Sequence, residues 1–458
     1  MEPPDLITVT LAPDAAPRLH FNPRLPDDRH PSAGLRAWLA DQPQLRGHHL
    51  FQTSGTTSAG AGAPWVALSA AAVRASALAV NQHLGTTPDD SWLLALPTFH
   101  VGGFGILQRA ALAAIPVFAT NWDPARYART AADTGATLSA LVPTQVSDLV
   151  RADLCAPANL RAVLVGGGRL DPDLHRRARQ LGWPLLRTFG MTETASQVAT
   201  EISPAAPAPT DPDRLPGPWL PVLAGWQLRL AGPTHDPGPG PANATRCGDP
   251  AAALELRGPA LFSGYVQPDL HAPDSWQWVD PRRDGWWRCR DLVRLRPVTR
   301  RASDDQPRLQ WRGRIDRTIK VMGELVDLDA VEARLQALAR DPGPPAAIRP
   351  AVTMDWLAVI RCADARAGDV PVLVLPAGLA TDQIRRWLEQ ADAQLAPFER
   401  PRALWRIDSL PRSPLGKVRY ARLEQRLAAA VASAGGASVT ASQTRPDPPP
   451  PLEPWPPR

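Results

Sequence analysis

The chain has 458 residues, a formal net charge of +5 and a hydrophobic fraction of 44%. This length exceeds what a single hydrophobic core usually serves, so we expect two or three packed units. Acidic residues are interspersed with the basic ones, which argues against the continuous basic surface of a protein that binds nucleic acid. The four cysteines include no C-x-x-C pair, which argues against a disulfide framework or a cysteine metal site.

The N-terminus has neither a basic region nor an apolar run, so the sequence predicts no signal peptide. The longest uncharged stretches, around 53–73 and 91–108, are broken by Gly, Pro, His and Thr. They predict buried strands and loops, with no membrane span. We therefore expect a cytoplasmic protein.

Residues 1–50 form a short, Pro-rich N-terminal segment with one predicted helix near 34–41. The pattern sharpens from residue 51, and a loop of small residues begins at Thr53. A helix is predicted next, from the N-terminal cap Ser69 to a stop before Gly85.

A parallel sheet is predicted between residues 92 and 190. Its strands are short apolar runs, at 92–96, 162–165 and 184–186. The second run is followed by a glycine turn and then by a helix with a cap and a proline at its start. Strand, turn, helix and strand in this order indicate parallel strands whose glycine turns meet at one edge, where ligands bind.

The last part of the chain predicts a second unit, which begins at Ile315. Asp329 and Glu332 resemble a capping box at the start of a helix. From about 435 the sequence becomes rich in Ala, Ser and Gly and then in Pro, which predicts a disordered tail over 435–458.

Lysine is almost absent from the chain. Only Lys320 and Lys417 occur among 50 basic residues, and the rest are arginines. A lysine is a compact point charge on a flexible stem, whereas an arginine is a planar fork. Lys417 follows a glycine and two prolines, on a predicted loop that can reach into a cleft. There one cation could meet a phosphate and a carboxylate together.

Three stretches carry groups that suit a nucleotide. Thr53–Ser58 offers hydroxyls and backbone N–H groups for a polyanion, although such a stretch can also be an ordinary loop. Phe189–Thr194 adds an aromatic face, a hydroxyl and a carboxylate, and the carboxylate could hold Mg²⁺. Asp291 could bind ribose hydroxyls, or could instead pair with a neighbouring arginine.

Seven stretches, in order, give the chain a resemblance to the adenylate-forming acyl-CoA synthetase (AMP-binding) superfamily, and among its members to the o-succinylbenzoate–CoA ligases. The matching stretches are Thr53–Thr57, Leu96–Gly103, Leu141–Gln145, Val165–Gly168, Phe189–Gln197, Gly313–Asp316 and Leu410–Lys417. The resemblance implies an α/β fold. It comprises a large N-terminal region of α/β sheets with a small β-barrel-like part (51–314, binding AMP and the acid) and a small α+β C-terminal lid domain (315–434).

The resemblance also implies roles for individual residues in nucleotide binding. A mobile phosphate loop would lie first, the adenine would be flanked by a glycine turn and an aromatic ring, and two later residues would hold the ribose. These residues are, in chain order, Thr53, Ser54, Gly55, Thr56, Thr57, Gly166, Gly167, Gly168, Phe189, Gly190, Asp291 and Arg314.

The catalytic roles implied by the resemblance fall on five residues. Thr192 would touch the α-phosphate and Glu193 would bind Mg²⁺. Lys417 would bridge the substrate carboxylate and the α-phosphate. A swing of the lid domain about the hinge Asp316 would then bring Lys320 into use for thioester formation.

The acid pocket implied by the resemblance is lined by His100, Gly103, Arg109, Ser196 and Gln197. In o-succinylbenzoate–CoA ligases an arginine at the position of Arg109 recognises the second carboxylate of the substrate, and a guanidinium fork suits that task. The alternative for Arg109 is a surface arginine in an arginine-rich chain.

The implied reaction is the ATP-dependent ligation of a small carboxylic acid to coenzyme A, through an acyl-adenylate and with Mg²⁺. The acid would be 2-succinylbenzoate, in menaquinone biosynthesis; another small aryl or acyl acid is the first alternative. A catalytically silent acyl- or nucleotide-binding relative is the second, because the phosphate loop lacks its usual lysine and the preceding segment is shorter than in family members. Intact Lys417, Glu193 and Asp316 argue against it. The oligomeric state stays open, with a homodimer as one alternative.

Overall fold

The computed structural model describes residues 11–23, 30–52, 64–202, 218–231, 251–269, 272–296, 306–321, 324–339, 357–364, 368–377, 381–413, 416–434 and 453–454. They fall into two compact units. The first contains the described residues of Met1–Pro237 and Thr245–Arg312, and the second those of Gly313–Arg458. None of the helices in these ranges has both the length and the apolar composition that crossing a bilayer requires.

Sixteen strands and six helices are described in the first unit. They are β1 (Arg18–His20), α1 (Ala33–Ala40), β2 (His48–Gln52), β3 (Trp65–Ser69), α2 (Ala70–Leu84), β4 (Trp92–Leu94), α3 (Val101–Ala113), β5 (Val117–Ala119), α4 (Pro124–Thr134), β6 (Leu138–Leu141), α5 (Pro143–Arg151), β7 (Ala162–Val165), α6 (Pro172–Gln180), β8 (Leu185–Phe189), β9 (Ala199–Thr200), β10 (Leu220–Pro221), β11 (Gln227–Leu230), β12 (Ala252–Arg257), β13 (Gly264–Asp269), β14 (Ala272–Val279), β15 (Trp287–Arg296) and β16 (Arg308–Arg314), whose end enters the second unit.

The predicted parallel sheet is confirmed. Its strand order is β5-β4-β6-β7-β8-β9, and every neighbouring pair is parallel except β8 with β9. Strands β4, β6 and β7 are buried along their whole length, as expected for parallel strands covered on both faces. The predicted helix α2 is confirmed too: the hydroxyl of Ser69 caps its start, and Gly85 ends it with φ 56°.

Two further sheets complete the first unit. One has the strand order β1-β2-β3-β13-β14, and the other β10-β16-β15-β12-β11. The second of these corresponds to the part expected to be barrel-like. It is an open sheet, and no closed barrel forms among the described strands. The edge strand β10 is only two residues long, so it offers too few backbone groups to close the sheet on β11.

The second unit is an α+β arrangement with its own core. Its elements are β17 (Thr318–Val321), β18 (Glu324–Asp327), α7 (Leu328–Leu338), β19 (Ala358–Asp364), β20 (Gly368–Pro376), α8 (Thr381–Gln394), β21 (Ala403–Ile407), α9 (Tyr420–Ala434) and β22 (Glu453–Pro454). The sheet runs β18-β17-β20-β21-β22, and β19 also pairs with β20. The apolar stripe of α7 packs into a cluster that includes Val331, Leu335 and Trp387, all three with no exposed surface.

One expectation about the second unit needs correction, and one stays a prediction. Asp327, not Asp329, caps α7, because its carboxylate accepts the backbone N–H groups of Asp329 and Ala330. Most of the tail predicted to be disordered lies outside the described residues. Its two described residues, Glu453 and Pro454, pair with β21, and the disordered tail over 435–458 stays a prediction.

The α/β fold class with a smaller α+β unit is therefore confirmed, without the closed barrel. The division into domains at 51–314 and 315–434 stays a prediction.

Candidate active site

The carboxyl edge of the six-stranded sheet gathers most of the predicted site residues of the first unit. His100 and Gly103 follow β4, Gly166–Gly168 follow β7, and Gly190–Gln197 follow β8. Parallel neighbours bring these three loops to the same edge because the carboxyl ends of parallel strands all point the same way. The sequence prediction that the glycine turns meet there is confirmed.

Two glycines allow backbone segments at this edge to approach closely. A Cβ on Gly190 would lie 1.7 Å from the carbonyl oxygen of Ser196, so no other residue fits without moving the chain. A Cβ on Gly103 would lie 2.4 Å from the carbonyl oxygen of Pro97. The first contact folds the loop after β8 tightly back on itself, and the second seats α3 against the end of β4.

Glu193, the predicted metal ligand, lies in a 3₁₀ turn, Thr192–Thr194. Its Oε1 accepts a hydrogen bond of 3.0 Å from the hydroxyl of Tyr265 on β13. Its backbone carbonyl accepts the N–H of Phe262 at 2.8 Å. Burial, followed by the charge of Glu193, raises the pKa of Tyr265 well above its ordinary value, so this hydroxyl remains a donor.

Arg109 is a buried cation in α3 with only 1% of its surface exposed. Its Nη2 donates a hydrogen bond of 3.0 Å to Oγ of Ser196. Among the residues that the structure describes, it forms no ion pair, and its Nε has no hydrogen-bond partner. Burial lowers the pKa of Arg109 to about 10, so the side chain stays charged at neutral pH. The surface alternative for this arginine is therefore wrong.

A narrow crevice, lined in part by Arg109, leaves no space for a water-sized molecule beside this guanidinium. Val73 and Ala77 of α2, Phe104 and Gln108 of α3, and Ala195 contribute to its walls. The crevice is narrow, so a group that reaches Arg109 requires some of these side chains to move aside. A mainly apolar lining with one cation in it suits an apolar ligand with one anionic end.

Ser196, the hydrogen-bond partner of Arg109, has an unusual backbone conformation for a residue other than glycine, with φ 119°. Such strain costs free energy and is found mainly at functional sites.

Two other predicted pocket residues, Gln197 and His100, contact other side chains. The side-chain oxygen of Gln197 accepts a hydrogen bond of 2.6 Å from Thr200, and His100 precedes α3 with its ring 4.6 Å from that of Phe99.

The predicted ribose residues have well-defined partners. Asp291, on β15 in the first unit, accepts a hydrogen bond of 2.8 Å from the indole N–H of Trp311. In the second unit, Arg314 forms a bidentate pair with the predicted hinge residue Asp316, at 2.8 and 2.9 Å. The sequence did not reveal either pairing.

The second unit carries both lysines. Lys417 is exposed on a loop closed by a hydrogen bond of 2.7 Å from the N–H of Ser413 to the carbonyl of Lys417. Lys320 lies on β17, where it pairs with Leu325 of β18, and its side chain is outside what the structure describes. Residues 53–57 also lie outside the described residues; they connect β2 with β3.

The profile of the AMP-binding enzyme family matches residues 45–266. A 2-succinylbenzoate–CoA ligase from Enterococcus faecalis is 27% identical over 75% of this chain, which spans 63% of the length of that ligase. A "Probable 2-succinylbenzoate–CoA ligase" from Mycobacterium tuberculosis is 30% identical, over 82% of this chain and 83% of the relative. The solved structure of o-succinylbenzoate CoA synthetase (MenE) from Bacillus subtilis, in complex with the acyl-adenylate intermediate OSB-AMP, superposes with a TM-score of 0.62 and 22% identity, over 82% of this chain and 68% of the other. This last similarity is one of fold.

Proposed function

Because the chain belongs to the AMP-binding enzyme family, we propose that it is an ATP-dependent acid–CoA ligase whose acid is 2-succinylbenzoate. The observation that carries the choice of acid is the buried guanidinium of Arg109, which forms no ion pair among the described residues. The names of the relatives from E. faecalis and M. tuberculosis support the same acid, and with it a step of menaquinone biosynthesis.

A dicarboxylate explains Arg109 better than a monocarboxylate does. A buried cation without a counter-ion is costly, and a bound carboxylate offsets that cost with charge-assisted hydrogen bonds. One carboxylate of 2-succinylbenzoate would bind Arg109 and Ser196 while the other reacts. An acid with a single carboxylate would leave the guanidinium buried and unpaired.

The first half-reaction joins the acid to the nucleotide. A carboxylate oxygen attacks the α-phosphorus of ATP, a new P–O bond forms, and the bond to pyrophosphate breaks. Thr192 would contact the α-phosphate, and Lys417 would lie between the two anions and reduce their repulsion. The glycine turn Gly166–Gly168 and Phe189 would flank the adenine, and Asp291 with Arg314 would hold the ribose.

The residues present fit a magnesium ion bound with the nucleotide. Among the described residues no group of three or more His, Cys, Asp and Glu side chains could form a metal cage. Mg²⁺ commonly takes one or two protein carboxylates and completes its coordination with phosphates and water. Glu193 would be that carboxylate, oriented by Tyr265. When bound, the ion would neutralise negative charge on the phosphates.

The second half-reaction transfers the acyl group to coenzyme A. The thiol sulfur attacks the acyl carbon, the thioester bond forms, and AMP leaves. A rotation of the lid domain, 315–434, about Asp316 would withdraw Lys417 and bring Lys320 into use, while 51–314 stays fixed as the domain that binds AMP and acid.

The experiment is an AMP-release assay with coenzyme A present, over a panel of carboxylic acids. It should include 2-succinylbenzoate and its matched monoacid 4-oxo-4-phenylbutanoate, which lacks the ring carboxylate. We expect Arg109→Leu to raise KM for the diacid by about 10- to 100-fold, because a charge-assisted hydrogen bond contributes about 1.5–3 kcal/mol. The KM for the monoacid should change by less than about threefold. Arg177→Leu, which removes an exposed arginine of α6, is the matched control.

The same panel separates the alternatives. One outcome is that the chain releases AMP fastest with a different acid and that Arg109→Leu changes KM equally for 2-succinylbenzoate and its matched monoacid. That result would identify the different acid as the substrate. No AMP release with any acid, from a folded wild-type chain that binds ATP, would favour a silent binding protein.

A further inference from the structure

A buried ionic cluster in the second unit surrounds Arg317, the last residue of the short segment Ile315–Arg317. The guanidinium donates to Asp329 at 2.8 Å, to Glu332 at 3.2 Å and to the backbone carbonyl of Val359 at 2.7 Å. The side chains of Arg317 and Glu332 are only 6% and 8% exposed. The residues expected to form a capping box thus serve this cluster instead.

Tyr420 completes the cluster from the first position of α9. The guanidinium carbon of Arg317 lies 3.7 Å from the centre of the Tyr420 ring. The Tyr420 hydroxyl donates a hydrogen bond of 2.7 Å to Oε1 of Glu332, while Oε2 accepts the N–H of Val359 at 2.8 Å. Glu332 therefore connects Tyr420 directly to Arg317.

The cluster lies at the end of the loop that carries Lys417. This loop is closed by hydrogen bonds between its two arms, from the N–H of Ser413 to Lys417 at 2.7 Å and from the N–H of Arg419 to Pro411 at 2.8 Å. Val418 is buried, and Tyr420 follows three residues after the lysine. Tyr420 is thus joined to Lys417 by a short segment in which the N–H of Arg419 is hydrogen-bonded to Pro411.

Stability alone does not account for such a cluster. Apolar residues of similar volume often stabilise a core as well as a buried ionic group does, because the charges must be stripped of water. A buried network does, however, fix the geometry of the segments that contribute to it.

We propose that Tyr420, acting through Glu332, is a positioning residue for the Lys417 loop and that the cluster fixes this loop to the segment Ile315–Arg317. The inference rests on the proposed role of Lys417 in adenylate formation. It names Tyr420 as a residue that acts through the loop and touches no substrate.

The test is Tyr420→Phe in the full chain, which keeps the ring over Arg317 and removes the hydroxyl that donates to Glu332. We expect kcat of acid-dependent pyrophosphate exchange to fall roughly tenfold, because small displacements of a catalytic group are costly, with KM for acid and ATP unchanged. Thioester formation from supplied acyl-adenylate should change by less than about twofold. Tyr127→Phe, which removes the hydroxyl of a fully buried tyrosine in the first unit, is the control.

A double-mutant cycle with Glu332→Gln identifies the path of the effect. If Tyr420 acts through Glu332, the pyrophosphate-exchange activity of the double variant should be no lower than that of the less active single variant. Independent, additive losses would overturn the inference, and so would equal losses in both half-reactions.

Hydrogen exchange makes the outcome independent of activity. In Tyr420→Phe the amides of residues 416–419 should exchange faster than in the wild type, whereas those of α2 should not change. Unchanged exchange at 416–419 would overturn the inference. If the wild-type chain forms no adenylate with any acid, the proposed function fails. The hydrogen-exchange rates still decide whether Tyr420 is structurally linked to the loop.

Discussion

Tyr265 and Glu193 are 72 residues apart in the sequence, and the hydroxyl of the first donates a hydrogen bond of 3.0 Å to the carboxylate of the second. A carboxylate that binds a metal depends on such a partner for its orientation.

Tyr265→Phe should therefore weaken the Mg²⁺ dependence of ATP binding. We expect the Mg²⁺ concentration for half-maximal ATP binding to rise about tenfold, since loss of a partner of this kind commonly costs 10- to 100-fold in metal affinity. Isothermal titration with ATP at several Mg²⁺ concentrations measures the effect without turnover. Tyr127→Phe serves as the control, and an unchanged Mg²⁺ requirement would remove Tyr265 from the site.

Gly105→Ala should crowd the acid pocket. A Cβ at this position lies 3.1 Å from Nη2 of Arg109, whose burial leaves it little room to move. We expect KM for 2-succinylbenzoate to rise by about tenfold, because the guanidinium must shift to relieve the contact. The crowding should also offset the helix preference of alanine over glycine, which is roughly 0.5–1 kcal/mol.

Gly102→Ala is the matched control in the same helix, because a Cβ there meets only Leu96, at 3.6 Å. Equal KM values for 2-succinylbenzoate in the two variants would show that the guanidinium does not bind the diacid.

Glu332 should make the stability of the chain depend on pH. Burial, opposed by the charge of Arg317, raises the pKa of Glu332 from 4.5 to about 7. The folded chain thus binds this proton more tightly than the unfolded chain, and the stability that it contributes is complete below about pH 4.5 and is lost as the pH rises toward 7.

In urea melts at pH 5 and pH 8, the free energy of unfolding of the wild type relative to Glu332→Gln should therefore fall by about 1–3 kcal/mol. Asp329 and Tyr420 remain in both proteins, so the difference isolates the Glu332 carboxyl. Parallel stability curves would contradict a titrating carboxyl at this position.

The two lysines should separate the half-reactions. Lys417→Ala should abolish acid-dependent pyrophosphate exchange, a loss of at least about 100-fold, and Lys417→Arg should not restore it, since a planar fork differs from a point charge. Lys320→Ala should slow thioester formation and spare exchange. Each variant is the control for the other, and similar losses in both assays for both variants would argue against separate roles.

The carboxyl edge of the parallel sheet could be predicted because local patterns determine it. Short apolar runs with glycine turns between them indicated β4, β7 and β8 as parallel strands, whereas β6, which lies between β4 and β7, was not predicted. The role of Arg109 could not be decided in the same way. A chain whose basic residues are nearly all arginines gives no local sign of which one is buried without an ion pair.

Long-range contacts account for what the sequence missed. The tyrosines at 265 and 420 are distant in sequence from Glu193 and Glu332, and only the fold brings their hydroxyls to these carboxylates. The capping-box prediction failed for a similar reason. The N-cap is Asp327, two residues before Asp329, which left Asp329 available to Arg317.

Because lysine is scarce, cleavage after lysine can measure how exposed the loop at Lys417 is. An endoprotease that cuts only after lysine has two sites in the sequence, and the one at Lys320 lies within a paired strand. In the native chain the first cut should therefore fall after Lys417 and release 418–458. The rate of that single cleavage, followed on a gel, would record how far nucleotide or acid shields the loop, with no label and no assay of turnover.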